Sequence, residues 1–92
     1  MNKSAKEMFE KEGWKQTEFK IWDNNPKYFN AQFEREDGSY KETIYWHPIE
    51  QSFNCRANYN NGKDEPISLD YNTLKAMIIL IEEVQKMGVK NE

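Results

Sequence analysis

The sequence predicts a two-layer α+β domain of element order α-β-β-β-β-α: a short N-terminal helix, a four-stranded antiparallel meander and a long C-terminal helix. Three observations carry that prediction. Apolar residues recur at helical spacing near both ends, and they alternate through the middle. Two turn signals also divide the alternating stretch into hairpins that bury one common face.

Each element has its own local cause. Ser4-Ala5-Lys6-Glu7 forms a capping box, in which Ser4 and Glu7 satisfy each other's backbone N–H groups. Ala5, Met8 and Phe9 then share one face of a helix over residues 5 to 12. Gly13 stands where a left-handed C′ residue belongs, with Trp14 as its apolar follower. Glu18-Phe19-Lys20-Ile21-Trp22 reads as the first strand, closed by the turn-formers Asp23-Asn24-Asn25-Pro26. The second strand spans residues 27 to 36, the third 39 to 47 and the fourth 52 to 59. Asp37-Gly38 is a hairpin signal between the second and third strands, and Pro48-Ile49-Glu50-Gln51 turns into the fourth.

The turns and the apolar pattern check one another. A two-residue loop at Asp37-Gly38 sets Ile44 opposite Ala31 and Trp46 opposite Phe29. A four-residue turn at Pro48 sets Trp46 opposite Phe53 and Ile44 opposite Cys55. Both loops put the same side of the third strand inward, and a one-residue slip in either would reverse it. After a polar loop over residues 60 to 66 and an extended Ile67-Ser68-Leu69, Asp70 caps a helix from Tyr71 to about Met87, with Gly88 as its stop. Its expected core stripe is Leu74, Met77, Ile78, Ile81 and Val84, widened by Tyr71, Leu80 and Met87, with Ile79 outside. Both helices are expected on the Phe29/Phe33/Trp46/Phe53 face.

Composition narrows the class. Ninety-two residues make a single domain, residues 1-92. The 13 Lys and Arg against 16 Asp and Glu leave a net charge of −3, and the signs are interleaved, as in Glu10-Lys11-Glu12. Backbone binding to nucleic acid needs a basic stripe, so nucleic acid is disfavoured as a partner. Mean hydropathy is −1.07. The longest apolar run, Ala76 to Ile81, falls far short of the roughly 20 residues that span a bilayer. Aromatic residues at 14% argue for a packed core over disorder. No apolar stretch follows the charged start, and a single cysteine cannot staple the chain, so a cytoplasmic location is expected.

The chemistry-bearing residues do not converge. Cys55 and His47 would make a nucleophile–base pair, but alternation sends Cys55 inward and His47 outward. One His and one Cys fall short of a zinc ligand set. The carboxylate pairs Glu36-Asp37, Asp64-Glu65 and Glu82-Glu83 sit in turns or on a polar helix face, and the isolated glycines form no phosphate loop. No enzyme, metal or cofactor is therefore expected. The outward sheet face is the stronger candidate, with Tyr28, Tyr45, His47 and Arg56 as binding residues among Asn and Gln side chains. An ordinary solvated sheet face is the competing reading. The rival surface is the rim of the last helix, with Ile79, Leu80 and Met87, where Leu80 and Met87 could hold a homodimer.

Ala5-Lys6-Glu7-Met8-Phe9-Glu10-x-x-Gly13-Trp14, then Glu65-Pro66-Ile67-Ser68-Leu69 and Leu74-Lys75-Ala76 in a long amphipathic helix, resemble small phage- and prophage-encoded proteins of low-GC Gram-positive bacteria. The resemblance spans nearly the whole chain. It departs where such proteins often carry a Ser or Thr cap with an acidic N3, because here Asp70 is followed by Thr73. It implies a non-enzymatic accessory protein in the host-cell cytoplasm that binds a host or phage protein, in its sharper form as an inhibitor of a host defence system. No site residues come with it. The alternative is a small-ligand binder, with a nucleotide base stacked on Tyr28 or Tyr45 and Arg56 on phosphate.

Overall fold

The computed structural model describes residues 4–38, 40–59, 62 and 67–89. Helix α1 is Ala5–Lys11, strands β1 to β4 are Lys15–Ile21, Phe29–Asp37, Tyr40–Trp46 and Phe53–Tyr59, and helix α2 is Tyr71–Val89. The strands form one antiparallel sheet in the order β1-β2-β3-β4, a meander. The α-β-β-β-β-α order expected from the sequence is the order observed. No helix among the described residues is long and apolar enough to cross a membrane.

Local chemistry explains both ends of α1. Ser4 Oγ accepts from the Glu7 N–H while the Glu7 carboxylate accepts from the Ser4 N–H, completing the capping box. At the other end Trp14 N–H donates to Phe9 O and Gly13 N–H to Glu10 O, a Schellman closure with Gly13 at φ 90°. Two contacts orient α1 antiparallel to α2. Ala5 N–H donates to the Glu83 carboxylate at 2.8 Å near the end of α2, and Asn72 Nδ2 donates to Glu12 at 3.3 Å near its start. Glu83, expected to be solvated charge, thus satisfies an otherwise unpaired N–H at the start of α1.

The core lies between the helices and one face of the sheet. Phe9 of α1 stacks on Phe33 of β2 with centroids 3.8 Å apart, and Trp46 packs against Phe29 and Phe53. The β3/β4 register is the expected one, with Trp46 opposite Phe53 and Ile44 opposite Cys55. The β2/β3 register is displaced: Ala31 faces Trp46, Phe33 faces Ile44, and Asp37 faces Tyr40. Gly38, at φ 65°, therefore opens the loop instead of closing it. Moving the loop by one residue moves the pairing by two, so parity and the buried face survive. The expected start of the third strand at Ser39 and most of the polar loop over 60 to 66 lie outside the described residues.

Other boundaries also differ from the sequence reading. β1 begins at Lys15 and ends at Ile21, with an irregularity between Gln16 and Glu18, so Trp22 falls in the following turn. α2 continues past Gly88 to Val89, because a glycine in a helix interior weakens it without ending it. The face α2 buries is rotated: Thr73, Ala76, Met77, Leu80 and Val84 are buried, while Leu74 and Ile78 are exposed. Leu80 is only 6% exposed, so of the rim pair expected to hold a homodimer, only Met87 is at the surface.

Thr73 is buried because it completes a polar clamp. Trp14 Nε1–H donates to Thr73 Oγ1 at 3.1 Å, and the Thr73 hydroxyl donates to the Asp70 carboxylate. The Arg35 guanidinium lies 4.2 Å from the Trp14 ring, donates to Glu12 O at 2.9 Å and pairs with Glu42 at 2.7 Å. These contacts tie α1, α2, β2 and β3 at one end of the core. The Thr73 hydroxyl, together with the neighbouring Glu12 carboxyl and Arg35, holds the Asp70 carboxyl below the usual carboxylate range.

Candidate functional site

The face of the sheet away from the helices follows from the same parity. Gln32 of β2, Tyr45 of β3 and Asn54 of β4 form one cross-strand row, and Glu34, Thr43 and Arg56 form the next. All of these except Glu34 line an open concavity of about 720 Å³, in which Arg56, Tyr45 and His47 stand among amide side chains. Its charges are partly internal. Glu34 takes an ion pair from Lys41 at 3.2 Å and a hydrogen bond from Gln32 at 2.9 Å. Arg56 is exposed in this concavity beside Asn54 and Asn58.

A second concavity, about 500 Å³, adjoins the first at Tyr45 and His47. It is lined also by Trp22, Tyr28, Pro48 and Ile49, with Asp23 as its one carboxylate, so it is the more apolar end of the face. Trp22 reaches it by folding back. Its N–H donates to Tyr28 O at 2.8 Å, and its Nε1–H donates to Asn30 Oδ1 at 2.7 Å. Asn30 in turn donates to Glu18 at 2.7 Å and is 3% exposed, so an outward-facing amide is buried beneath an indole. Lys20 Nζ lies 3.8 Å from the Trp22 ring and covers its other side.

His47 is oriented by the turn that follows it. Its Nδ1 accepts the Ile49 N–H at 3.3 Å and the Glu50 N–H at 3.2 Å, so a neutral ring carries its proton on Nε2. The ring meets Tyr45 edge-on, with centroids 6.1 Å apart. Gln51 at φ 53° makes that turn close.

The four residues singled out from the sequence lie on this one face. Tyr45 and His47 belong to both concavities, Tyr28 to the apolar one and Arg56 to the polar one. Trp22 and Ile49 were missed. Trp22 shares the parity of Glu18 and Lys20, which is a readable outward signal, whereas Ile49 sits in a turn where alternation says nothing. Cys55 lies opposite Ile44 on the inward side of the sheet, half-buried, and burial pushes its thiol upward from its usual value. Although their strand positions have opposite parity, Cys55 and His47 both line the larger concavity. Among the described residues no three His, Cys, Asp or Glu side chains gather as a metal site. No family model, curated protein or solved structure matches the chain.

Proposed function

We propose that the protein is a non-enzymatic binding module that engages a protein partner in the cytoplasm through the outward sheet face. The observation that carries this reading is the junction at Tyr45 and His47, where an apolar aromatic cleft runs into a shallow polar channel. A peptide chain offers that alternation of apolar anchor and polar backbone. Tyr and Trp supply contact area at little conformational cost, and Arg56 supplies a charged anchor. The partner class suggested by the sequence resemblance is a host or phage protein, and its sharper form is the inhibition of a host defence system.

Affinity capture with wild type and with Tyr45→Ala/Arg56→Ala tests the reading. Neither side chain belongs to the buried core, so the variant keeps the fold. The expected result is a specific protein retained by wild type and lost by the variant. Capture of the same protein by both would move the contact off this face.

A second reading is a nucleotide-like ligand, favoured by the size of the aromatic cleft. About 500 Å³ lies within the ordinary range for small-molecule sites, and Tyr28 or Tyr45 would stack the base. Such a ligand raises the melting temperature by mass action. A thermal-shift series with nucleotides at millimolar concentration that moves nothing would remove this reading.

A further inference from the structure

We infer that α2 pairs with α2 of a second copy of this chain, antiparallel, along the flank that faces away from α1. The row it gives to its own core is Thr73, Ala76/Met77, Leu80 and Val84, all buried. A second row, exposed Tyr71, Leu74 and Ile78 followed by Ile81, which is half-buried against the protein's own core, and then Gln85, repeats at spacings of three and four residues. That is the spacing of a coiled-coil seam over two heptads. At ~100° per residue this row lies about 120° round the helix from the core row. Asn72 and Glu83, which meet α1, lie on the opposite flank. Tyr71 is 72% exposed, Ile78 57% and Leu74 44%, where a solvated helix flank would be polar.

Charge identifies the occupant. Lys75 and Glu82 hold equivalent positions one heptad apart beside the seam, both exposed. The corresponding positions on its other side are Met77 and Val84, which are buried in the protein's own core. Two α2 helices laid antiparallel, with the two-fold axis near Ile78, bring Lys75 of each copy beside Glu82 of the other. Two symmetric ion pairs then flank an apolar seam that matches itself. A parallel pair would set Lys75 and Glu82 against the Met77/Val84 side and form neither ion pair. The seam is only about 21 Å long, well below a standard interface, so the dimer is of micromolar strength and separates on dilution.

Sedimentation equilibrium of the full chain from about 10 to 500 µM reads this directly. Wild type should pass from the 11.1 kDa chain mass toward twice that value. Ile78→Glu should remain monomeric across the range, with a thermal melt that matches wild type at the dilute end where both are monomers, because Ile78 lies outside the core. Lys75→Glu alone and Glu82→Lys alone should each raise Kd about tenfold by turning two attractive pairs repulsive. The double exchange should return to within about threefold of wild type. Tyr45→Ala/Arg56→Ala should dimerise as wild type does. A wild-type mass fixed at 11.1 kDa at the highest concentration would overturn the inference. So would Ile78→Glu dimerising normally, or a double exchange no better than the single ones.

Discussion

The two core tryptophans form a matched pair that measures what a buried indole N–H contributes. Trp14 is 2% exposed, and its Nε1–H is bonded to Thr73. Trp46 is 8% exposed, packed between Phe29 and Phe53, and its Nε1 has no hydrogen-bond partner among the described residues. Phe at either position deletes the same atoms, so transfer and cavity losses are alike, about 1 to 2 kcal/mol each. The polar contributions have opposite sign. Trp14→Phe deletes a hydrogen bond of about 1 kcal/mol and weakens the stack under Arg35 by about 0.5 kcal/mol. Trp46→Phe removes an unmatched buried donor, relieving about 1 to 3 kcal/mol. Trp14→Phe should therefore be the more destabilising by about 2.5 to 4.5 kcal/mol. Urea unfolding followed by circular dichroism, compared at unchanged slope, measures the gap. Losses within about 0.5 kcal/mol of each other would refute the placement of the two indole N–H groups.

Two further outcomes test the clamp at the Trp14 end. An alanine Cβ at Gly13 would meet Arg35 Cδ at 3.3 Å on backbone held at φ 90°, whereas at Gly38 (φ 65°) nothing lies within 4 Å. Gly38→Ala should lose only the left-handed backbone preference, about 1 kcal/mol. Gly13→Ala should lose more, because Arg35 is held by Glu42 and the Glu12 carbonyl, and equal midpoints in urea would show that Arg35 yields freely. Asp70 gives a pH dependence. Its carboxyl is held low in the folded state, so its contribution is present above the unfolded value near 3.9 and is lost as pH falls through the folded value. Stability of wild type relative to Asp70→Asn should shrink below about pH 4, and a constant difference between the two urea midpoints from pH 6 to 3 would contradict it.

The meander was legible because parity is robust to turn error. Asp37-Gly38 was read one residue too early as the loop, yet Trp46, Ile44, Phe33 and Ala31 stayed on the buried face, because the pairing shifted by an even number. The helix had no such protection. A stripe drawn from apolar residues alone takes in Leu74, Met77, Ile78, Ile81 and Val84, of which Met77 and Val84 are buried and Leu74 and Ile78 are exposed. The chain instead buries Thr73 and Ala76, and there the Thr73 hydroxyl accepts the Trp14 indole N–H. The Trp14–Thr73 bond favours this helix rotation, a contribution that a count of apolar residues does not include. Asp70 without an acidic N3 looked like half a capping box, and the partner it holds is that same threonine.

The rotation of α2 links the two surfaces of the molecule. Turning Thr73 and Ala76 toward the core sends Leu74 and Ile78 outward, so the exposed apolar row on the flank and the buried clamp belong to the same helix rotation. If Thr73 were replaced by valine, the Trp14 N–H would lose its acceptor and the preference for this rotation would weaken. The natural relaxation is for Leu74 and Ile78 to turn inward, which would remove the seam. Thr73→Val should therefore diminish self-association as well as stability, while leaving the Tyr45/His47 face, on the far side of the sheet, unchanged. The meander and its outward face depend on alternation and turns. The rotation of α2 also involves a buried polar contact between Trp14 and Thr73, which apolar periodicity does not report, so the first could be read from the sequence and the second required the structure.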